Sequence, residues 1–98
     1  MSNKLVAMRL DKFLKVSRII KRRPVAKQVA DAGRVKVNGR VADAGKQVAV
    51  GDELEIRLGS LTLVVRIEGI AETVRKGEAE SLYTVLERKG GRDDLLSF

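Results

Sequence analysis

The chain has 98 residues, with 20 Lys and Arg against 13 Asp and Glu, a net charge of +7, and neither cysteine nor histidine. These counts predict one small cytoplasmic domain and exclude disulfides, cysteine-type zinc sites and catalysis by a histidine base. No stretch approaches the roughly 20 apolar residues of a membrane span, and we expect no cofactor, no metal and no membrane partner.

The positive charge is concentrated in the first half of the chain. Residues 1–49 carry 13 basic and three acidic residues, whereas residues 50–98 carry seven basic and ten acidic residues. Eleven basic residues fall in the stretch from 9 to 40: Arg9, Lys12, Lys15, Arg18, Lys21, Arg22, Arg23, Lys27, Arg34, Lys36 and Arg40. Such a segment favours a polyanionic partner, and the alternative is an ordinary solvated surface, which usually mixes both signs.

The first predicted helix begins at Leu10. Apolar residues recur at helical spacing through Phe13 and Leu14 to Ile20, while basic residues fall on the opposite side. Asp11 lies in the first turn, where a carboxylate is favoured by the positive end of the helix dipole. One helix therefore carries both a core face and a basic face.

A second helix is predicted over residues 24–32, after a tight turn at 21–23. Pro24 suits the first turn of a helix, and Gly33 suits a left-handed residue that ends it. Its narrow apolar face, formed by Val25, Ala26, Val29 and Ala30, predicts close packing against the first helix.

The stretch from Arg34 to Val41 predicts a β-hairpin, since charged and apolar residues alternate around the pair Asn38-Gly39. This alternation predicts that Val35, Val37 and Val41 face the core. Lys36 and Arg40 are expected to face outward beside the basic face of the helices.

The second half is predicted to be mainly β-structure. Two alternating strands, 53–58 and 61–67, flank a Gly59-Ser60 turn; a helical turn follows at 76–81, a last strand at 82–87, and a flexible tail at 88–98. The acidic residues of this half are expected to keep it away from a polyanion and free to face a protein partner.

Several of these segments, taken in order, resemble the S4-type RNA-binding domain. They are Arg9-Leu10-Asp11-Lys12-Phe13-Leu14, the basic turn 21–23, Gly33-Arg34-Val35-Lys36-Val37-Asn38-Gly39, and Val48-Ala49-Val50-Gly51-Asp52. The opening from Met8 and a later Tyr83-Thr84-Val85-Leu86 segment are also similar to a short bacterial S4-type family, ribosome-associated quality control factor P, a sibling of the heat-shock S4 proteins.

The resemblance implies an α+β fold of the S4 (alpha-L) type, with an N-terminal helix hairpin packed on a small, mainly antiparallel β-sheet. It divides the chain into an N-terminal extension (1–8), the S4-type domain (9–58), a β extension of the same domain (59–87) and the tail (88–98). Residues 1–7 precede the position where that family usually begins.

The resemblance also implies a non-catalytic role on the large ribosomal subunit. The expected partners are large-subunit rRNA, peptidyl-tRNA and a factor that elongates the stalled nascent chain with alanine, and the protein is expected to act as a monomer. The alternatives are a heat-shock-type protein that recycles stalled subunits, an accessory subunit of an RNA-modifying enzyme, and a membrane-surface protein held by basic residues.

The residue types predict how RNA is bound. Three aromatic residues in the whole chain are too few for a base-stacking platform, which favours folded RNA recognised through phosphates and shape. Guanidinium groups suit phosphate oxygens better than ammonium groups do. Arg9 and Arg23, each near a predicted helix start where free amides also favour phosphate, are therefore the strongest candidates.

Overall fold

The computed structural model describes residues 7–75 and 77–90. The elements are β1 (Met8–Arg9), α1 (Leu10–Val16), α2 (Arg23–Asp31), β2 (Val35–Val37), β3 (Arg40–Val41), β4 (Gln47–Val48), β5 (Glu53–Leu58), β6 (Leu61–Ile67), a 3-10 helix (Ala79–Leu82) and β7 (Tyr83–Gly90). None of these described helices is long and apolar enough to cross a membrane.

The strands form two antiparallel sheets. A five-stranded sheet has the order β3-β2-β5-β6-β7, and β1 pairs with β4 in a separate two-stranded ribbon. The core lies between the helix pair and one face of the larger sheet, joining Phe13 and Leu14 of α1 to Leu54, Ile56 and Val65. The predicted α+β fold, a helix hairpin on an antiparallel sheet, is confirmed.

Helix α1 is shorter than predicted, because it ends at Val16. Arg18 has a φ of 64° and turns the chain out of the helix, and its amide donates to the Lys15 carbonyl at 3.0 Å. The amide of Ile20 donates to the Leu14 carbonyl at 3.0 Å, so the turn satisfies the carbonyls of both Leu14 and Lys15 near the end of the helix. Ile20 is buried as predicted, but from the turn and not from a helical face.

Helix α2 begins one residue before the predicted start and places Pro24 in its first turn. Gly33 follows with a φ of 81°, which confirms the predicted left-handed end of the helix. Ala26 and Ala30 are buried against α1, whereas Val25 is exposed, so its assignment to the packed face was wrong.

The hairpin β2–β3 has the predicted two-residue turn. Asn38 and Gly39 both have positive φ, and Val37 lies opposite Arg40. The prediction that Val41 faces the core is wrong, because Val41 lies opposite Lys36 on the outer face and is 61% exposed. Since residues that pair across strands share a face, Lys36 and Arg40 lie on opposite faces of this hairpin.

The last strand begins at Tyr83, one residue after the prediction, and continues to Gly90. Arg88, Lys89 and Gly90 pair with β6, so the predicted flexible tail is wrong for these three residues, and 91–98 lie outside the described residues. The predicted helical turn is present as the 3-10 helix, although Lys76 is not among the described residues.

We expect Val37→Thr and Val41→Thr to differ sharply in their effect on stability. The first buries a hydroxyl in the core and should lower the free energy of unfolding by about 1–2 kcal/mol. The second changes an exposed side chain and should alter it by less than about 0.5 kcal/mol. Chemical denaturation of both variants measures the difference, and equal losses would contradict the placement of Val41.

Candidate nucleic-acid interface

The two arginines ranked highest from the sequence meet at one carboxylate. The Nε of Arg9 donates to Oδ1 of Asp11 at 3.1 Å, and its Nη2 donates to Oδ2 at 3.3 Å. From the start of α2, Nη2 of Arg23 donates to the same Oδ1 at 3.5 Å. Asp11 is 2% exposed, while the arginine side chains are 46% and 45% exposed. We call these three residues the arginine cluster.

The two arginines favour the ionised form of Asp11. Burial alone would raise the pKa of this carboxyl, but the hydrogen bond from Arg9 and the charge and hydrogen bond of Arg23 outweigh burial and lower its pKa. Asp11 therefore does more than favour the helix dipole, which was its predicted role, because it also joins the start of α1 to the start of α2.

The ribbon β1–β4 fixes the position of Arg9. Arg9 lies opposite Gln47, the amide of Leu10 donates to the Lys46 carbonyl at 2.8 Å, and the amide of Asp11 donates to the Ala44 carbonyl at 3.2 Å. The expectation of free amides for phosphate at this helix start is wrong for these two amides, since both are already paired. At these two positions the backbone amides are therefore not free to bind an anion.

A second carboxylate attaches the loop before β4 to α2. Asp31 accepts from Lys27 Nζ at 2.9 Å and from the Ala44 amide at 3.0 Å. The hydrogen bond from Lys27 and then that from the amide lower the pKa of Asp31. Across the loop, a Cβ on Gly45 would lie 3.8 Å from Nη1 of Arg9, so the loop packs against the arginine cluster.

Arg40 also belongs to this side of the molecule. It lines a cavity of about 340 Å³ with Asp43, Gly45 and Lys46, next to the loop that packs on Arg9. Lys46 was absent from the predicted site, which stopped at Arg40. Its positive charge was visible in the sequence, but only the short pairing of β1 with β4 brings it to the cluster.

A separate group of basic residues lies at the far end of α1. Lys15, Arg18 and Lys21 line a cavity of about 490 Å³, whose other wall is the segment after β6. The left-handed backbone of Arg18 costs roughly 1–2 kcal/mol for a residue other than glycine. Beside this cavity Lys12 forms an ion pair with Glu72, a residue of the acidic half that sequence reasoning did not connect with the basic helix.

The remaining predicted residues are more dispersed. Arg22 lines an apolar groove with Lys21, next to Val25 and Leu58. Lys36 lies opposite Glu55 on the outer face of the sheet, away from the helices, and the carbonyl of Arg34 accepts from the amide of Arg57 of β5. The expectation that Lys36 would lie beside the basic face of the helices is therefore wrong.

Comparison with known proteins gives a consistent match. The S4 domain family model matches residues 8–54. The RQC P-site tRNA stabilizing factor of Halalkalibacterium halodurans is 60% identical over 78 residues, which cover 80% of this chain and 89% of that protein. The factor of the same name from Bacillus subtilis is 50% identical over 82 residues, covering 84% of this chain and 95% of that protein.

The chain belongs to the family of RQC P-site tRNA stabilizing factors. It is an S4-type RNA-binding protein of ribosome-associated quality control, which confirms the family inferred from the sequence motifs. A solved structure titled as a trimer of Vibrio cholerae heat shock protein 15 is 34% identical, with a TM-score of 0.75 and 81% of each chain covered. Heat shock protein 15 is thus a more distant relative with the same fold.

We expect acid to weaken the arginine cluster in a defined pH range. Because the pKa of folded Asp11 lies below its ordinary value of 3.8, its contribution to stability is complete above that value and is lost as the pH falls through the folded pKa. Asp11→Asn should therefore lower the free energy of unfolding at pH 7. The loss should be only about 1–2 kcal/mol, because solvent screens the two half-exposed arginines.

Urea denaturation of both proteins between pH 7 and pH 2.5 measures this contribution. The difference between them should shrink as the carboxyl of the wild type becomes protonated. A difference that stays constant over the whole range would show that the charge of Asp11 contributes nothing.

Proposed function

We propose that this protein binds the 23S rRNA of a large ribosomal subunit obstructed by peptidyl-tRNA, contacts that tRNA, and supports addition of C-terminal alanine to the stalled nascent chain. The relatives are named for stabilizing P-site tRNA in ribosome quality control, which supports the tRNA contact. The proposed role is non-catalytic: the protein holds RNA in place for a separate factor that elongates the chain.

The observation that carries this proposal is the arginine cluster. A buried carboxylate holds two guanidinium groups at 3.1–3.5 Å and leaves about half of each side chain exposed. Guanidinium groups whose conformation is already fixed lose less entropy when they bind phosphate oxygens, and their planar donors suit bidentate contacts. The cluster is thus suited to phosphate groups held at a fixed spacing, as in folded RNA.

The aromatic residues are consistent with recognition by shape. Phe13 is fully buried in the core, and Tyr83 is half-buried at the start of β7. Within the part of the chain that the structure describes, no aromatic pair forms an exposed surface on which bases can stack. This supports recognition through phosphate and sugar contacts, which favours structured rRNA and tRNA over single strands.

A heat-shock-type role in recycling stalled subunits is the second candidate, because the heat shock protein 15 structure shares the fold over most of this chain. Both roles need binding to large subunits that carry peptidyl-tRNA. They differ in whether the stalled chain receives alanine.

We expect Arg9→Ala and Arg23→Ala each to weaken binding to purified bacterial large subunits by about 5–8-fold at 0.1 M salt, the contribution of one neutralised phosphate. Arg57→Ala, on the outer face of the sheet, is the matched control and should bind as the wild type does. If about six phosphates are contacted, the slope of log K against log salt should be about −4 to −5. A slope near −1, or equal losses for all three variants, would contradict the proposal.

Deletion of the protein from cells, followed by complementation, tests the pathway. Cells lacking the protein should lose alanine tails from stalled chains, and the wild type should restore the tails where Arg9→Ala does not. Restored subunit recycling without alanine tails would favour the heat-shock-type role.

A further inference from the structure

The cavity at the end of α1 is formed by both halves of the chain. Lys15, Arg18 and Lys21 line it from α1 and the turn that follows, and Glu72, Thr73 and Val74 line it from the segment after β6. Its volume of about 490 Å³ lies within the range of roughly 300–1,000 Å³ that is usual for ligand sites. The C-terminal half therefore contributes to a basic site, although its composition suggested that it would avoid a polyanion.

The described lining of this cavity carries three positive charges and one negative charge. Among residues 7–75 and 77–90, Lys15, Arg18 and Lys21 form no ion pair. Glu72 also lines the cavity, but its carboxylate forms an ion pair with Lys12. Like charges brought to one cavity repel each other, and an anion bound among them would remove that repulsion.

Arg18 is the residue that makes this arrangement specific. Its φ of 64° is a left-handed conformation, which glycine adopts readily and arginine does not. A glycine would end α1 without that conformational cost. What the arginine adds is a positive charge at a residue that lines the cavity.

The site is separate from the arginine cluster. Arg9 precedes α1 and Arg18 follows it, and a seven-residue helix is about 10 Å long. The cavity that Arg18 lines includes no residue of the arginine cluster. Ligands at the two sites must therefore be different phosphates.

We propose that Lys15, Arg18 and Lys21, with the wall at Thr73, form a second binding site for backbone phosphate of the same RNA. Glu72 competes with that RNA for Lys12 and so limits its affinity. This inference rests on the proposed function, because it assumes that the bound polyanion is ribosomal RNA or tRNA.

Arg18→Gly tests the site without disturbing the fold, because glycine suits the left-handed backbone. Its melting temperature should equal or exceed that of the wild type. Its affinity for purified large subunits should fall by about 5–8-fold at 0.1 M salt, and the magnitude of the salt slope should fall by about 0.7–0.9, the effect of one lost phosphate contact. Arg18→Lys keeps the charge and should retain most of the affinity, and Arg57→Gln is the matched control for charge.

Glu72→Gln should have the opposite effect. By releasing Lys12, this variant should bind large subunits several-fold more tightly and with a steeper salt slope. Glu87→Gln makes the same change of charge on β7, where Glu87 pairs with Lys89, and should leave binding unchanged.

The outcomes separate the two proposals. If Arg9→Ala weakens binding while Arg18→Gly and Glu72→Gln behave as the wild type does, the second site is wrong and the proposed function stands. If the wild type does not bind large subunits, both are wrong. If Glu87→Gln strengthens binding as much as Glu72→Gln does, general charge accounts for the effect and the local competition is wrong.

Discussion

The carboxylate of Asp11 is buried at the junction of three elements. The carboxylate accepts hydrogen bonds from Nε and Nη2 of Arg9 and from Nη2 of Arg23. The backbone amide of Asp11 donates to the Ala44 carbonyl in the loop before β4. Removing such a carboxylate from water is costly unless cations and hydrogen bonds compensate. Compensation by two half-exposed arginines keeps Asp11 ionised and also fixes the groups that we propose bind RNA, so stability and function share one interaction.

The sheet, the two helices and the ribbon β1–β4 together position the arginine cluster. The antiparallel sheet provides the apolar face on which α1 and α2 pack, and that packing holds the starts of the two helices close enough for Arg9 and Arg23 to share a carboxylate. The ribbon of β1 and β4 adds the loop that carries Lys46. The far end of α1 carries a second basic group, so the proposed interface follows the length of a short helix.

Regular patterns in the sequence were sufficient to predict most of the helices and strands. The alternation in β5 and β6, the Asn38-Gly39 turn and the glycine after α2 each depend on local physics that a few residues reveal. The strands β1 and β4 have two residues each and no periodicity, so only tertiary pairing defines them. The alternation of charged and apolar residues predicted that Val41 faces the core. Val41 instead pairs with Lys36, which places it on the outer face of the sheet.

The candidate site was predictable to a similar extent. Composition and motifs identified the basic residues, and the structure brings Arg9 and Arg23, which were ranked highest, together at Asp11. What the sequence could not reveal were the contacts between distant segments, such as Glu72 with Lys12, sixty positions apart, and the left-handed backbone of Arg18. Both depend on the packing of the segment after β6 and of the turn between the helices.

A double-mutant cycle between Asp11→Asn and Arg9→Ala, read as affinity for purified large subunits, tests the central claim most directly. If Asp11 acts on RNA binding by fixing Arg9, then Asp11→Asn should weaken binding in the wild type and have much less effect once Arg9 is absent, with a coupling free energy of about 0.5–3 kcal/mol. Melting temperatures of all four proteins would show that each is folded during the measurement. Equal losses from Asp11→Asn in both backgrounds would contradict the account, because the carboxylate would then affect RNA binding independently of the arginine that it holds.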